Sequence, residues 1–182
     1  MQRRLILDSR KFTLTLNRLC QELLENHFDF SSSVILGIQP RGIQLGRRIH
    51  QQLEALTGKK IQYGNLDVTF YRDDFRTNDK PLLPAGSDIL FSVEGKKVIM
   101  VDDVLFTGRT IRAALDALND FGRPASVELL VLIDRRFARQ LPVQANYSGR
   151  QIDSPDGEKV LVEWKEIQGE DAVWITENSE IA

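Results

Sequence analysis

Lys97-Val98-Ile99-Met100-Val101-Asp102-Asp103-Val104-Leu105-Phe106-Thr107-Gly108-Arg109-Thr110 is the stretch whose reading decides the fold. Val98 to Val101 is short, mostly β-branched and free of polar residues, which predicts a strand buried on both faces of a parallel sheet. Two carboxylates stand where that strand leaves the core. A small-residue loop follows, and Ile111, Ala114, Leu115, Leu118 and Phe121 then recur at helical spacing. Gly122 and Pro124 end the helix. The order is strand, acidic pair, loop, helix N-terminus.

That order has a chemical sense. A helix N-terminus flanked by the hydroxyls of Thr107 and Thr110 is an anion site, and Gly108 lets the backbone approach a ligand closely. Two adjacent carboxylates would repel a bare phosphate, but they suit vicinal hydroxyls or a metal bound to them. A phosphate at one end and a diol nearby describe a ribose 5-phosphate. Acidic pairs also occur in receiver domains, but there they close the first strand, whereas Asp102 and Asp103 lie past mid-chain. No Walker-type glycine-lysine phosphate loop occurs.

Working outward, 182 residues fit one domain with a real core, and 42% hydrophobic with 27% charged residues is ordinary for a globular protein. Cys20 is the single cysteine, on the apolar face of a predicted helix, so a buried thiol in a reducing compartment is expected. With no secretory signal and no long apolar run, a cytoplasmic location without membrane contact is expected. The net charge of −2 is unevenly spread. Residues 1–60 carry ten Lys/Arg against five Asp/Glu, and residues 153–182 carry two against nine. The basic half fits either a nucleic-acid surface or a solvated helix face plus phosphate-binding arginines.

Leu5 to Leu7 reads as a strand, capped by Asp8 or Ser9 into a helix whose apolar side carries Phe12, Leu16, Leu19, Cys20, Leu23 and Leu24. His27 at its end reads as a surface histidine. Val34 to Ile38 is a second buried strand, running into Gln39-Pro40-Arg41-Gly42 and a helix through Ile43, Ile49, Leu53 and Leu56 to Gly58. Loops at the carboxyl ends of strands line the crevice of an open α/β sheet, so this one is a second anion-binding candidate through Arg41. Ile61 to Tyr71 alternates in part, as a strand would. Residues 72–90 form a long charged segment, read as a lid over the site or a solvated hairpin extension. Val127 to Ile133 is another buried strand ending in Asp134-Arg135-Arg136. Further strands are expected through Val143 to Tyr147, Lys159 to Val162 and Ala172 to Ile175. The expected architecture is α/β, a central parallel sheet flanked by helices, with a small cap formed mainly by about 135–165.

VIMVDDVLFTGRT resembles the phosphoribosyl-diphosphate signature of the type I phosphoribosyltransferases. Across the chain, ILD, RGI, DVTFYRDD, FGRPASVEL, LIDR, LPV, NYSGR and EKVLV recur in order as in the bifunctional pyrimidine operon attenuator/uracil phosphoribosyltransferases. The resemblance implies a single domain over 1–182 with a cap, or hood, and transfer of the 5-phosphoribosyl group of phosphoribosyl diphosphate to uracil. It implies that Asp102 and Asp103 hold the ribose hydroxyls and that Phe106, Thr107, Gly108, Arg109 and Thr110 hold the 5-phosphate. Gln39, Pro40, Arg41 and Gly42, with lid residue Arg72, would take the pyrophosphate. Asp134, Arg135, Val160 and Leu161 would read the base. Mg²⁺ would be held mainly by substrate oxygens, and the assembly would be a homodimer or homotetramer.

Two departures bear on function. Purine enzymes of this kind usually carry an acid just before the Thr-Gly of the loop, and here that place is Phe106, which cannot exchange a proton with a purine ring. At positions aligned with basic or hydroxyl-bearing residues of RNA-binding relatives stand Leu14, Asn17, Gln21 and Gln144, while Arg18 and Arg150 remain. RRFARQ also runs one residue longer than in those relatives. Fewer cations mean fewer phosphate contacts. Uracil transfer therefore ranks first, RNA-binding attenuation second, and a binding protein with a decayed site third.

Overall fold

A computed structural model of the chain describes residues 3–73, 86–154 and 157–177. The elements are β1 (Arg3–Leu7), α1 (Ser9–His27), β2 (Ser33–Ile38), α2 (Gly42–Thr57), β3 (Gln62–Leu66), β4 (Lys97–Leu105), α3 (Arg109–Leu118), β5 (Ser126–Arg136), β6 (Tyr147–Asp153), β7 (Glu158–Glu163), α4 (Lys165–Gln168) and β8 (Ala172–Glu177). Single 3-10 turns cover Thr69–Tyr71 and Asn119–Phe121.

Five strands form a sheet in the order β3-β2-β4-β5-β6. Every neighbouring pair in it is parallel. The alternation of side chains along a strand sends successive residues to opposite faces. Ile35, Ile99, Val101 and Leu130 join α1 and α2 in one apolar layer. Val34, Leu36, Val98, Met100, Leu129 and Val131 join α3 in the other. This double coverage explains why β2 and β4 have continuous apolar runs. The carboxyl ends of β2, β4 and β5 consequently open at one edge, where βα loops collect.

α1 starts at Asp8, whose side chain accepts from the Lys11 amide at 2.8 Å. Phe12, Leu19 and Cys20 on its inner side are fully buried. Burial pushes the Cys20 thiol up to about 12, which makes it an inert apolar filler. α2 ends at Gly58, which takes the left-handed conformation at φ 65°. Among the described residues no helix is long and apolar enough to cross a membrane.

Four readings of the sequence are corrected. His27 is buried, with Nδ1 2.8 Å from Ser33 Oγ and Nε2 3.1 Å from Glu128 Oε2. β3 stops at Leu66, and Phe70 faces solvent from within a 3-10 turn. Val143 and Ala145 precede β6 and pack against the α3 layer as a loop, so their alternation is not strand pairing. The second sheet is β1-β8-β7, antiparallel throughout. Of the expected cap, Arg135 and Arg136 at the end of β5 and Tyr147–Asp153 belong to the large sheet, and β7 alone supplies a strand to the small one. The missing partner is β1, which pairs Arg3 with Thr176 and Arg4 with Ile175. Within the expected lid, residues 74–85 lie outside the described residues, while Asp88 exchanges two backbone bonds with Asn65 beside β3.

Candidate functional site

A cavity of about 800 Å³ opens at the carboxyl edge of the large sheet. Its wall contains Gln39, Pro40, Arg41, Arg72, Asp102, Asp103, the run Phe106 to Thr110, Arg135 and Val160. The chain thus brings together residues from the loop after β2, from β4, β5 and β7, and from the segment after β3.

β4 carries the acidic pair to the floor of the crevice. Both Asp102 and Asp103 are buried, at 5% and 3% exposure. The Asp103 amide donates to Asp102 Oδ1 at 2.9 Å. Arg41, at the start of α2, lies 3.1 Å from Asp103 Oδ2 through Nε. Loss of water raises the pKa of both acids, and for Asp102 the charge of Asp103 adds to the effect. The cations Arg41 and Arg72 oppose that rise at Asp102, and Arg41 opposes it at Asp103. The pair is therefore poised to sense a change in nearby charge.

The loop after β4 turns on Gly108, with φ at 93° in the left-handed region where a side chain would be strained. Gly108 also precedes α3 and supplies no side-chain cap, so apart from the Arg109 amide, which donates to Thr107 Oγ1 at 3.4 Å, the first amides of α3 are available to an anion from the cavity. The loop rests on residues 139–141: the amides of Gln140 and Leu141 donate to the Thr107 carbonyl at 3.0 and 3.2 Å. Arg139 donates to the Phe106 carbonyl and, at 2.5 Å, to Asp134 Oδ1. On the other flank the Gln39-Pro40 peptide is cis, and the Gln39 side chain donates to the Gly86 carbonyl at 2.9 Å.

Three expected site residues stand behind the wall. Gly42 is buried at the α2 N-terminus, where a Cβ would fall 2.2 Å from the Val101 carbonyl oxygen, so its part is to let α2 approach β4. Asp134 is buried and neutralised by Arg139. Leu161 alternates with the buried Val160 and Val162 along β7 and is left off the cavity side. Arg135, in contrast, is 4% exposed and lays its guanidinium 3.9 Å from the Phe106 ring centre. The wall also holds Asp73, Ile111, Glu158 and Lys159, which sequence reasoning passed over. Asp73 adjoins Arg72 in the chain, and Glu158 sits two residues before Val160, so period-two alternation would have found the latter.

Sheet, acidic pair and helix N-terminus define an α/β protein whose ligand crevice lies beyond the carboxyl ends of its strands. The chain belongs to the phosphoribosyltransferase family: the model named Phosphoribosyl transferase domain matches residues 3–166. It is 42% identical to the Bifunctional protein PyrR of Bacillus subtilis over 180 residues, 97% of this chain and 98% of that one. The protein of the same name from Desulfosudis oleivorans is 45% identical over 168 residues, 92% of this chain and 93% of that one. Among solved structures, the hypoxanthine phosphoribosyltransferase of Trypanosoma cruzi superposes with a TM-score of 0.71 at 16% identity, covering 96% of this chain and 97% of that one. A hypoxanthine phosphoribosyltransferase from Staphylococcus aureus gives 0.68 at 20% identity, covering 98% and 94%. At such identities the two structures speak for the fold.

Proposed function

We propose that this chain is a uracil phosphoribosyltransferase, joining uracil to the 5-phosphoribosyl group of phosphoribosyl diphosphate and releasing pyrophosphate. The observation that carries the reading is the buried Asp102–Asp103 pair beside the uncapped N-terminus of α3, both facing one cavity. Diol recognition and phosphate recognition then share one cavity. The family membership and the bifunctional relatives support the same reading.

Bond making and breaking occur at the ribose anomeric carbon. The uracil ring nitrogen forms a bond to that carbon as the carbon–oxygen bond to pyrophosphate breaks; the electron pair leaves on pyrophosphate, and the nitrogen's acidic proton passes to solvent or to that departing anion. Positive charge spreads over the sugar at the transition state. Asp102 and Asp103 hold the ribose hydroxyls and supply negative charge from a dry floor, where it acts strongly. Backbone amides from Phe106 to Thr110, with the two threonine hydroxyls, hold the 5-phosphate. Arg41 and Arg72 hold the pyrophosphate, with the Gln39-Pro40 loop shaping that end. Arg135, Val160 and the Phe106 ring border the base.

Among the described residues no three His, Cys, Asp or Glu side chains converge as a metal site. The two crevice acids alone fit a Mg²⁺ that takes most of its octahedral ligands from substrate oxygens and water. When bound, it neutralises pyrophosphate as a leaving group.

The reading is tested by incubating the chain with phosphoribosyl diphosphate, Mg²⁺ and labelled uracil, hypoxanthine or guanine. Uracil should give UMP, both purines should be poor substrates, and Asp103→Asn should abolish turnover with the fold intact. A purine rivalling uracil would overturn the Phe106 argument, and no UMP at all would overturn the activity.

A second reading, RNA-binding attenuation, is favoured by the sequence resemblance described above and by exposed Arg10 and Lys11 on α1. Arg18 donates to the Ser148 and Gly149 carbonyls at 3.0 and 2.6 Å, and Arg150 donates to the Ile6 carbonyl at 3.2 Å. Both arginines would have to leave those partners or share their charge with RNA, so this reading stays second.

A further inference from the structure

Arg109 opens α3 and lies in the cavity wall, but its guanidinium is engaged elsewhere. Nη1 donates to Asp73 Oδ2 at 2.6 Å and Nε donates to Gln140 Oε1 at 2.8 Å. Arg112, three residues further along the helix, lies 3.7 Å from the same Asp73 oxygen. It also donates to the Tyr71 carbonyl at 3.4 Å. The Tyr71 hydroxyl in turn donates to Asp120, just past the far end of α3. Tyr71 and Asp73 are thus both tied to one rigid helix. Between them stands Arg72, in the cavity wall and close enough for its charge to act on Asp102.

These ties have little stabilising value. The Asp73 side chain is 38% exposed and that of Arg109 is 52%, and ion pairs so open to solvent contribute little to folding. Their geometry has a clearer use. Planar peptides leave two soft torsions per residue, so fixing both neighbours of Arg72 restricts its backbone to a narrow range. Arg109 also belongs to the loop at the 5-phosphate end, so a shift of that loop is passed to Asp73 and on to Arg72.

We propose that Asp73, gripped by Arg109 and Arg112, is a positioning residue that aims Arg72 at the pyrophosphate end and couples it to the 5-phosphate end. The Arg109 guanidinium is then a clamp between the two half-sites and not itself a phosphate ligand. The proposal deepens the phosphoribosyl-transfer reading and rests on it.

The experiment compares wild type, D73N, D73E, R72A and D73N/R72A. Kinetics are measured with each substrate varied, and calorimetry follows binding of phosphoribosyl diphosphate with Mg²⁺. D73N should lower kcat/KM for the donor by about 10- to 100-fold, the scale of a misplaced catalytic group. The uracil KM should hold within about twofold and D73E should recover part of the loss. Because Asp73 acts through Arg72, adding D73N to R72A should cost less than about a further twofold. The same loss in both backgrounds, or a D73N protein equal to wild type, would overturn the clamp. If wild type binds the donor but makes no UMP, the uracil reading fails alone, and weaker donor binding by D73N in the wild-type but not the R72A background still supports the clamp. If wild type does not bind the donor, both fall.

Discussion

Arg41 Nε lies 3.1 Å from Asp103 Oδ2, across the gap between the loop after β2 and the end of β4. The arginine side chain is 49% exposed and that of the acid 5%, so a solvent-facing cation offsets an interior charge. The two crevice loops are joined by that contact before any substrate arrives. Binding of pyrophosphate at Arg41 would draw the guanidinium toward a second anion and leave Asp103 freer to answer charge on the sugar.

From this contact a pH effect follows. Burial holds both acids above the ordinary carboxylate value of 3.8, and Arg41 opposes the rise. Arg41→Gln removes that opposition, so each proton is harder to lose and the acid limb of kcat/KM moves to higher pH. The expected displacement is about one pH unit, the lower end of what a close opposite charge produces. A pH–rate profile reads it, and an acid limb that stays in place would show that Arg41 does not act on the pair.

Stability should respond in the opposite sense to activity. With pKa values above 3.8 in the fold, Asp102 and Asp103 bind more protons folded than unfolded as pH rises from 3.8 through the raised values. Stability therefore falls across that window. Asp102→Asn removes one of the buried charges, so its unfolding midpoint should exceed that of wild type at neutral pH. The gain should shrink as pH approaches 3.8 from above, where wild type also keeps its proton in both states. Equal midpoints at neutral pH would mean that the burial cost is met by Arg41 and Arg72.

Beside the apolar core that α1, α2 and the small sheet share, Arg48 ties α2 to the α4–β8 connection. Arg48 donates to both Asp171 oxygens at 2.9 and 2.7 Å and to both Glu166 oxygens at 3.0 and 2.5 Å. Its guanidinium lies 5.0 Å from the Trp164 ring centre and 5.6 Å from that of Phe12. Arg48→Met leaves Asp171 without its cation and should cost about 1–3 kcal/mol in urea unfolding. Arg48→Lys should recover little, because an ammonium cannot form the paired bonds. Full recovery by lysine would reduce the site to a simple charge contact.

RNA affinity should follow the number of available cations. A pyrimidine-operon leader transcript should bind weakly at physiological salt, with a shallow dependence of binding on salt. Nanomolar binding that requires a uridine nucleotide would promote attenuation above its present second place.

Local patterns told the fold where local forces decide it. The apolar runs of β2 and β4, the helical spacing after Thr110 and the Gly58 stop are all consequences of neighbouring residues, and each element stands where those patterns put it, except that α3 ends at Leu118 in a 3-10 turn through Phe121 and Leu115 faces outward. The acidic pair and the loop after it were legible for the same reason. What escaped was non-local. His27 looks solitary because, besides Ser33 in the next strand, its partners Glu128 and Tyr147 lie 101 and 120 residues away. β1 reads correctly as a strand, but its place in the small sheet does not, because its pairing partner β8 lies far along the chain. Arg109 reads as a phosphate ligand until Asp73, 36 residues earlier, folds against it. Val143 and Ala145 mimic a strand because a loop pressed on α3 also buries alternate side chains.

The most direct measurement is a crystal structure of the chain with phosphoribosyl diphosphate and Mg²⁺. The expected placement has the 5-phosphate on the amides from Thr107 to Thr110, the ribose hydroxyls on Asp102 and Asp103, and the diphosphate between Arg41 and Arg72. A donor found outside this crevice, or seated in it with the acid pair turned away from the sugar, would contradict it.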